Sequence, residues 1–181
     1  MGTYLATGIV HKMCIQKRDM GTHKFTLENI VESLQKELNM DHYVFGEDED
    51  SIFWEIKPEM LEGNFVEFLE TQFKMYNDTR NIQEVITKIK EVKTGDKIIE
   101  LAKQESRFNF QMVHLLSFLK ILPENGFPDH ITVSYHLIAF FLDGKIIMEC
   151  YGNILHYFEK AIRLQEEKYP VVACLKTMIT S

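Results

Sequence analysis

Two carboxylates, Glu55 and Glu149, stand inside the apolar runs SIFWEI and KIIMEC. Brought together in a buried site, such a pair could do general acid–base work, because burial raises one carboxyl while its neighbour stays ionised. Strand alternation gives the plainer reading. It places Glu55 with Ser51 and Phe53, opposite Ile52, Trp54 and Ile56, on an outer sheet face where no desolvation penalty arises. His11 and His136 also fall in strand-like runs, with Cys14 close to the first. Met across a sheet, these three would make a Cys/His nucleophile, set against a plain pair of hydrogen-bonded strand histidines. His156 and Glu159 share a helix face at an ordinary i, i+3 spacing. Asp48-Glu49-Asp50 resembles a fragment of a calcium loop, but the following glycine and the distant bidentate glutamate are missing. None of the familiar zinc spacings, phosphate loops, dinucleotide fingerprints or nucleophile elbows occurs. No cofactor and no metal are therefore expected, and the balance leans away from an enzyme.

What remains is charge. Residues 41–76 hold ten acids, Asp41, Glu47, Asp48, Glu49, Asp50, Glu55, Glu59, Glu62, Glu67 and Glu70, against Lys57 and Lys74, a local net of −8. The whole chain carries −7, so everything outside this segment is close to neutral. Localised charge is what a partner's surface can read. Asp or Glu early in a helix also favours the helix dipole, which accounts for Glu62 and Glu67 but not for the run Glu47–Asp50. The candidate contact residues are thus Glu47, Asp48, Glu49, Asp50, Glu59, Glu62, Glu67 and Glu70, facing a basic protein partner.

The same charge balance excludes nucleic acid as the expected partner, since phosphate binding needs clustered Lys and Arg. The one basic stretch, Lys88, Lys90, Lys93 and Lys97, is interleaved with Glu84, Glu91, Asp96 and Glu100 and reads as a solvated helix face. No apolar run approaches the roughly 18 residues a membrane span needs. The N-terminus lacks the shape of a signal peptide, and Ala6 stands where a myristoylation signal wants Ser or Thr. The three cysteines, Cys14, Cys150 and Cys174, cannot all pair within the chain and form no CxxC. A cytoplasmic protein with reduced thiols is the expectation.

The elements that would position these residues read as α+β. Residues 3–17 form a long strand, apolar on both alternating faces: Leu5, Ile9, Met13 and Ile15 on one, Tyr4, Ala6, Val10 and Cys14 on the other. RDMGTHK reads as a loop. Thr26 caps a helix to about residue 39 with Leu27, Ile30, Val31, Leu34 and Leu38 on one stripe. HYVF and SIFWEI flank GEDED as a hairpin. Gly63-Asn64 opens a helix to about Tyr76, Asn64 and Glu67 having the form of a capping box. Helices follow from Asn81 to about Val92 and from Lys97 to about Ser106, with a stop and restart at Thr94-Gly95-Asp96. Residues 109–122 read as a third helix, although FNFQMV also suits a strand. After the break at Pro123 and ENGFP, ITVSYHLIAFFL and KIIMEC flank Asp143-Gly144 as a second hairpin. A helix over 154–168 and a strand VVACLKTMI close the chain.

This predicts a single domain, 1–181, with a largely antiparallel sheet of about six strands and five to six helices. It also admits two halves, 1–78 and 124–181, joined by a helical segment 79–122. Ile52–Ile56 followed by Gly63-Asn64 resembles Ile146–Cys150 followed by Gly152-Asn153, which suggests a duplicated hairpin–helix unit. The second unit, 142–168, is nearly neutral, so this architecture does not require a charge of −8. The leading functional expectation is a non-enzymatic interaction module, such as an inhibitor, an immunity-type protein or an adaptor. The alternative is an enzyme or small-ligand domain with a pocket between sheet and helices. A homo-oligomer joined through strands 3–15 and 171–179 is a third.

Overall fold

The structure is a computed structural model that describes residues 4–22, 25–73, 79–105, 110–118, 129–143 and 151–180. Among these, six strands form one antiparallel sheet: β1 (Tyr4–Gln16), β2 (Tyr43–Glu47), β3 (Ser51–Ile56), β4 (Phe110–Phe118), β5 (Asp129–Asp143) and β6 (Leu175–Thr180). The α-helices are α1 (Lys17–Thr22), α2 (Leu27–Gln35), α3 (Phe65–Phe73), α4 (Thr79–Val92), α5 (Gly95–Gln104) and α6 (Tyr151–Arg163). Short 3₁₀ turns cover Met40–His42, Pro58–Leu61 and Pro170–Cys174. The fold is α+β, as its sequence pattern predicts.

The sheet runs β2-β3-β1-β5-β4, and β6 also pairs β1. Strand β1 is the pivot. One of its edges pairs β5, and the other is shared, β3 taking residues 12–16 and β6 residues 4–9. A strand with neighbours on both edges and apolar residues on both faces is buried nearly throughout, and Leu5, Ala6, Ile9, Val10, Met13 and Ile15 are all inaccessible. Simple alternation fails along it, however. Val10 pairs Leu137 while Lys12 pairs His136, so His11 is an extra residue. Thr7 pairs Phe141 while Ile9 pairs Ile138, so β5 carries a compensating extra residue where Ala139 adopts a left-handed φ of 54°. Each bulge turns the side chains beyond it to the other face. Lys176 pairs opposite Gly8, yet its ammonium lies 4.6 Å from the ring of Tyr135, which pairs opposite Met13. Gly8 and Met13 therefore share a face, and Leu5 lies on the other side from Met13.

Several local expectations change. RDMGTHK begins with helix α1, whose Lys17 N–H donates to the Asp50 carbonyl at 2.8 Å; this long-range anchor lies beyond what local propensity registers. His23 and Lys24 lie outside the described residues. Helix α2 ends at Gln35, short of residue 39, behind a capping box formed by Thr26 and Asn29. The segment 79–122 is not helical throughout: Phe110–Phe118 is strand β4, registered residue by residue against β5 from Phe110↔Leu137 to Phe118↔Asp129. Its run FQMVHLLSF suits both periods, and the nine-residue ladder decides for the strand. Pro170 opens a 3₁₀ turn rather than a strand, so β6 starts only at Leu175. Asn64 and Glu67 do not form a capping box, because Glu67 is drawn to Lys168 and Tyr169. Helix α6 starts at Tyr151, which puts Gly152-Asn153 inside it rather than ahead of it, and the proposed repeat loses that landmark. The turn and strand expected at Gly144–Cys150, the break at Pro123 and ENGFP, and residues 119–122 lie outside the described residues.

Candidate interaction surface

The acidic run caps the β2–β3 hairpin. Asp48 builds the turn: its N–H donates to the Ser51 carbonyl at 2.9 Å, and its Oδ1 accepts from the N–H groups of Asp50 (3.0 Å) and Ser51 (2.7 Å) and from Ser51 Oγ (3.0 Å). These bonds, those from Ser51 above all, hold the Asp48 carboxyl below its ordinary range. Glu47, Asp48, Glu49 and Asp50 are all exposed. Lys17 approaches from α1, its ammonium 3.8 Å from Glu47 Oε2 and hydrogen-bonded to the Asp48 carbonyl. Glu49 and Asp50 make no ion pair among the described residues.

The other four acids lie beyond the far end of β3, roughly 20 Å from the tip at the rise of an extended strand. Glu59 is exposed in the Pro58–Leu61 turn. Glu62 Oε1 accepts the Gly95 N–H at 3.0 Å and so caps α5. Glu67 accepts from Lys168 Nζ at 2.5 Å and from the Tyr169 hydroxyl at 2.9 Å, and these two bonds hold its carboxyl low. Glu70 pairs with Lys90 at 2.5 Å. The eight candidate residues thus form two groups rather than one surface. Bases supplied by the near-neutral remainder of the chain offset much of the second group.

Two apolar side chains join the tip, and only the structure brings them out. Val44 is 55% exposed and Phe45 is 44% exposed on strand β2, the end of the sheet. The Phe45 ring also meets Trp54, centroids 5.5 Å apart, and Trp54 itself is buried, a core residue rather than a contact anchor. The run YVFGE reads as an ordinary strand, and its outer position shows only once the sheet order is known.

The catalytic candidates fare differently. Glu55 does lie on the outer face, as alternation predicts, paired with Lys12 (3.4 Å) and Lys103 (3.1 Å). Partial burial pushes its carboxyl up, but Lys103 and Lys12 together outweigh this and leave it below its ordinary range. Glu149 lies outside the described residues. The His11 and His136 rings do meet, edge to face with centroids 6.0 Å apart, and burial lowers His136. Cys14 lies two rungs further along, opposite Ser134, with Met13 and Tyr135 between. Burial pushes its thiol up and keeps it protonated, the opposite of an activated nucleophile. No group of three or more His, Cys, Asp or Glu among the described residues is placed to hold a metal ion.

A part-buried polar cluster has almost no signal in the sequence. Glu37 Oε2, just past α2, accepts from the Tyr135 hydroxyl at 2.6 Å and from the Lys176 ammonium. Burial first, then the Glu37 charge, pushes the Tyr135 hydroxyl far above its ordinary range. Glu37 also borders an open groove of about 540 Å³ shared with Asn39, Asp41, Arg163 and Glu166. Its one sequence signal is Lys176, a lone charge in the apolar run VVACLKTMI.

No helix among the described residues is long and apolar enough to cross a membrane. No family model, no curated protein and no solved structure matches the chain.

Proposed function

We propose that this chain is a non-enzymatic, cytosolic protein-interaction module, of inhibitor, immunity or adaptor type, that presents its acidic hairpin tip to a basic partner protein. The observation that carries this reading is the turn itself: four consecutive exposed acids on a scaffold fixed by Asp48, beside the exposed Val44 and Phe45. A rigid charged turn next to apolar contact area is suited to fast, selective association, since complementary charge acts mainly on encounter rate and specificity. Glu47, Asp48, Glu49 and Asp50 carry the surface, while Glu62, Glu67 and Glu70 serve the fold. The test is capture of partners from the native cell by the wild-type chain and by Glu47→Lys/Glu49→Lys/Asp50→Lys across a salt series. Loss of partners and a flatter salt dependence are expected. Unchanged partners at unchanged salt sensitivity sink the reading.

A ligand-binding reading draws on the groove beside Glu37, whose wall carries both charges, Arg163 with Asp41 and Glu166. A thermal-shift screen of small charged ligands tests it: a stabilising ligand whose effect is lost in Arg163→Ala supports it, and its absence removes the support.

A further inference from the structure

The geometry points to strand addition: the outer edge of β2 takes an extended basic segment of the partner protein as one more strand of the sheet. This rests on the interaction reading and names how the partner is held. The alternation of hydrogen bonds across β2 and β3 identifies the free groups. Asp48 N–H donates to the Ser51 carbonyl and Lys57 N–H to the His42 carbonyl, both at 2.9 Å, which marks 48:51 and 42:57 as bonded pairs. With Val44 opposite Glu55 and Gly46 opposite Phe53, the even positions of β2 turn their backbone toward β3. Tyr43, Phe45 and Glu47 turn theirs outward. The Tyr43 N–H is used by the Met40 carbonyl. The Tyr43 carbonyl and both groups of Phe45 and of Glu47 remain, and no strand among the described residues pairs with them.

Such an edge is a template for another chain, and proteins blunt it with lysine, proline, bulges or covering segments. YVFGE has neither lysine nor proline and keeps an unbroken register with β3. Its protection is acidic, Asp41 before the strand and Glu47–Asp50 at its end, all exposed. That charge repels an acidic strand and attracts a basic one. Backbone pairing supplies affinity in this mode and alternate side chains supply selectivity. Val44 and Phe45 lie on opposite faces of the edge, so an incoming strand that alternates basic and apolar residues meets one of them with its apolar face.

The probe is a fluorescein-labelled ten-residue peptide of alternating lysine and valine, titrated into the full chain by anisotropy. Glu47→Gln removes the charge alone. Glu47→Pro removes the charge and the outward N–H, a change an edge strand tolerates without losing its ladder. We expect the peptide to bind, Glu47→Pro to bind at least tenfold more weakly than Glu47→Gln, and a peptide N-methylated at alternate residues to lose tenfold on the unaltered chain. No binding of the peptide, or equal loss in the two variants with the methylated peptide bound as well, overturns strand addition. Sedimentation showing a dimer that Glu47→Pro dissolves gives the edge to a second copy and also overturns it. The interaction reading stands or falls separately, on whether charge reversal at the tip removes cellular partners.

Discussion

Glu62 closes the N-terminus of α5 from a distance: its Oε1 accepts the Gly95 N–H at 3.0 Å, across 33 residues of chain. Gly95 sits so close to the Pro58–Leu61 turn that a Cβ there would lie 1.9 Å from the Pro58 carbonyl oxygen. The acid and the glycine thus serve one junction. Glu62→Ala is expected to cost about 1 kcal/mol, the worth of a helix cap. Gly95→Ala is expected to cost more, because the Pro58 backbone must move. Urea unfolding of both variants checks the order, and equal costs would separate the cap from the packing.

Glu37 holds Tyr135 and Lys176 together in a largely buried setting, Lys176 being 9% exposed. Removing one partner strands the other charge. Glu37→Leu alone and Lys176→Met alone are each expected to lose about 2–4 kcal/mol, and the double variant less than their sum. A denaturation double-mutant cycle measures this. Additive losses would mean that the two charges act independently.

Burial pushes the Cys174 thiol up to about 12, well above the roughly 8.5 of an unfolded thiol. The unfolded chain therefore loses this proton first. Stability is whole below about pH 8.5 and declines toward pH 12, by about 1.4 kcal/mol per pH unit for this group. Tyr43, raised by its own complete burial, adds a loss of the same sign at higher pH. Urea midpoints between pH 7 and 10.5 should show a gentler alkaline decline for Cys174→Ala than for the wild type. Parallel declines would show that another group sets the slope.

The tip separates stability from binding. Asp48→Ala removes the acceptor for Asp50, for the Ser51 N–H and for Ser51 Oγ, and is expected to lower the thermal midpoint. Glu49→Lys and Asp50→Lys touch no such bond and should leave it nearly unchanged. Differential scanning calorimetry distinguishes them, and a large fall in Glu49→Lys would show that this side chain serves the fold.

The features legible in the amino-acid sequence are local ones. Thr26 as a cap, the 43–56 hairpin and the restart at Gly95 each depend on residues a few positions apart, where propensity and turn chemistry act. Glu55 on an outer face followed from alternation within six residues. The failures share one cause. Helix α1 is anchored by Asp50, β4 is decided by β5, and Glu67 leaves its expected capping role for Lys168. The acidic segment was legible as composition, but its division into two groups depends on β3 standing between them. Nothing in YVFGE distinguishes an edge from an interior strand, and the free backbone of Phe45 and Glu47 follows only from the sheet order.

Strand β1 lies alongside β6 antiparallel, Tyr4 opposite Thr180 and Ile9 opposite Leu175. Held by residues 4 and 180 and stretched, the molecule takes force at one end of this ladder, and its rungs open singly, like a zipper, instead of sharing the load. Under that load the pivot of the sheet carries a soft seam: β6 should peel away at low force, exposing residues 4–9 on the edge of β1 while β3 and β5 still hold residues 12–14 on both sides.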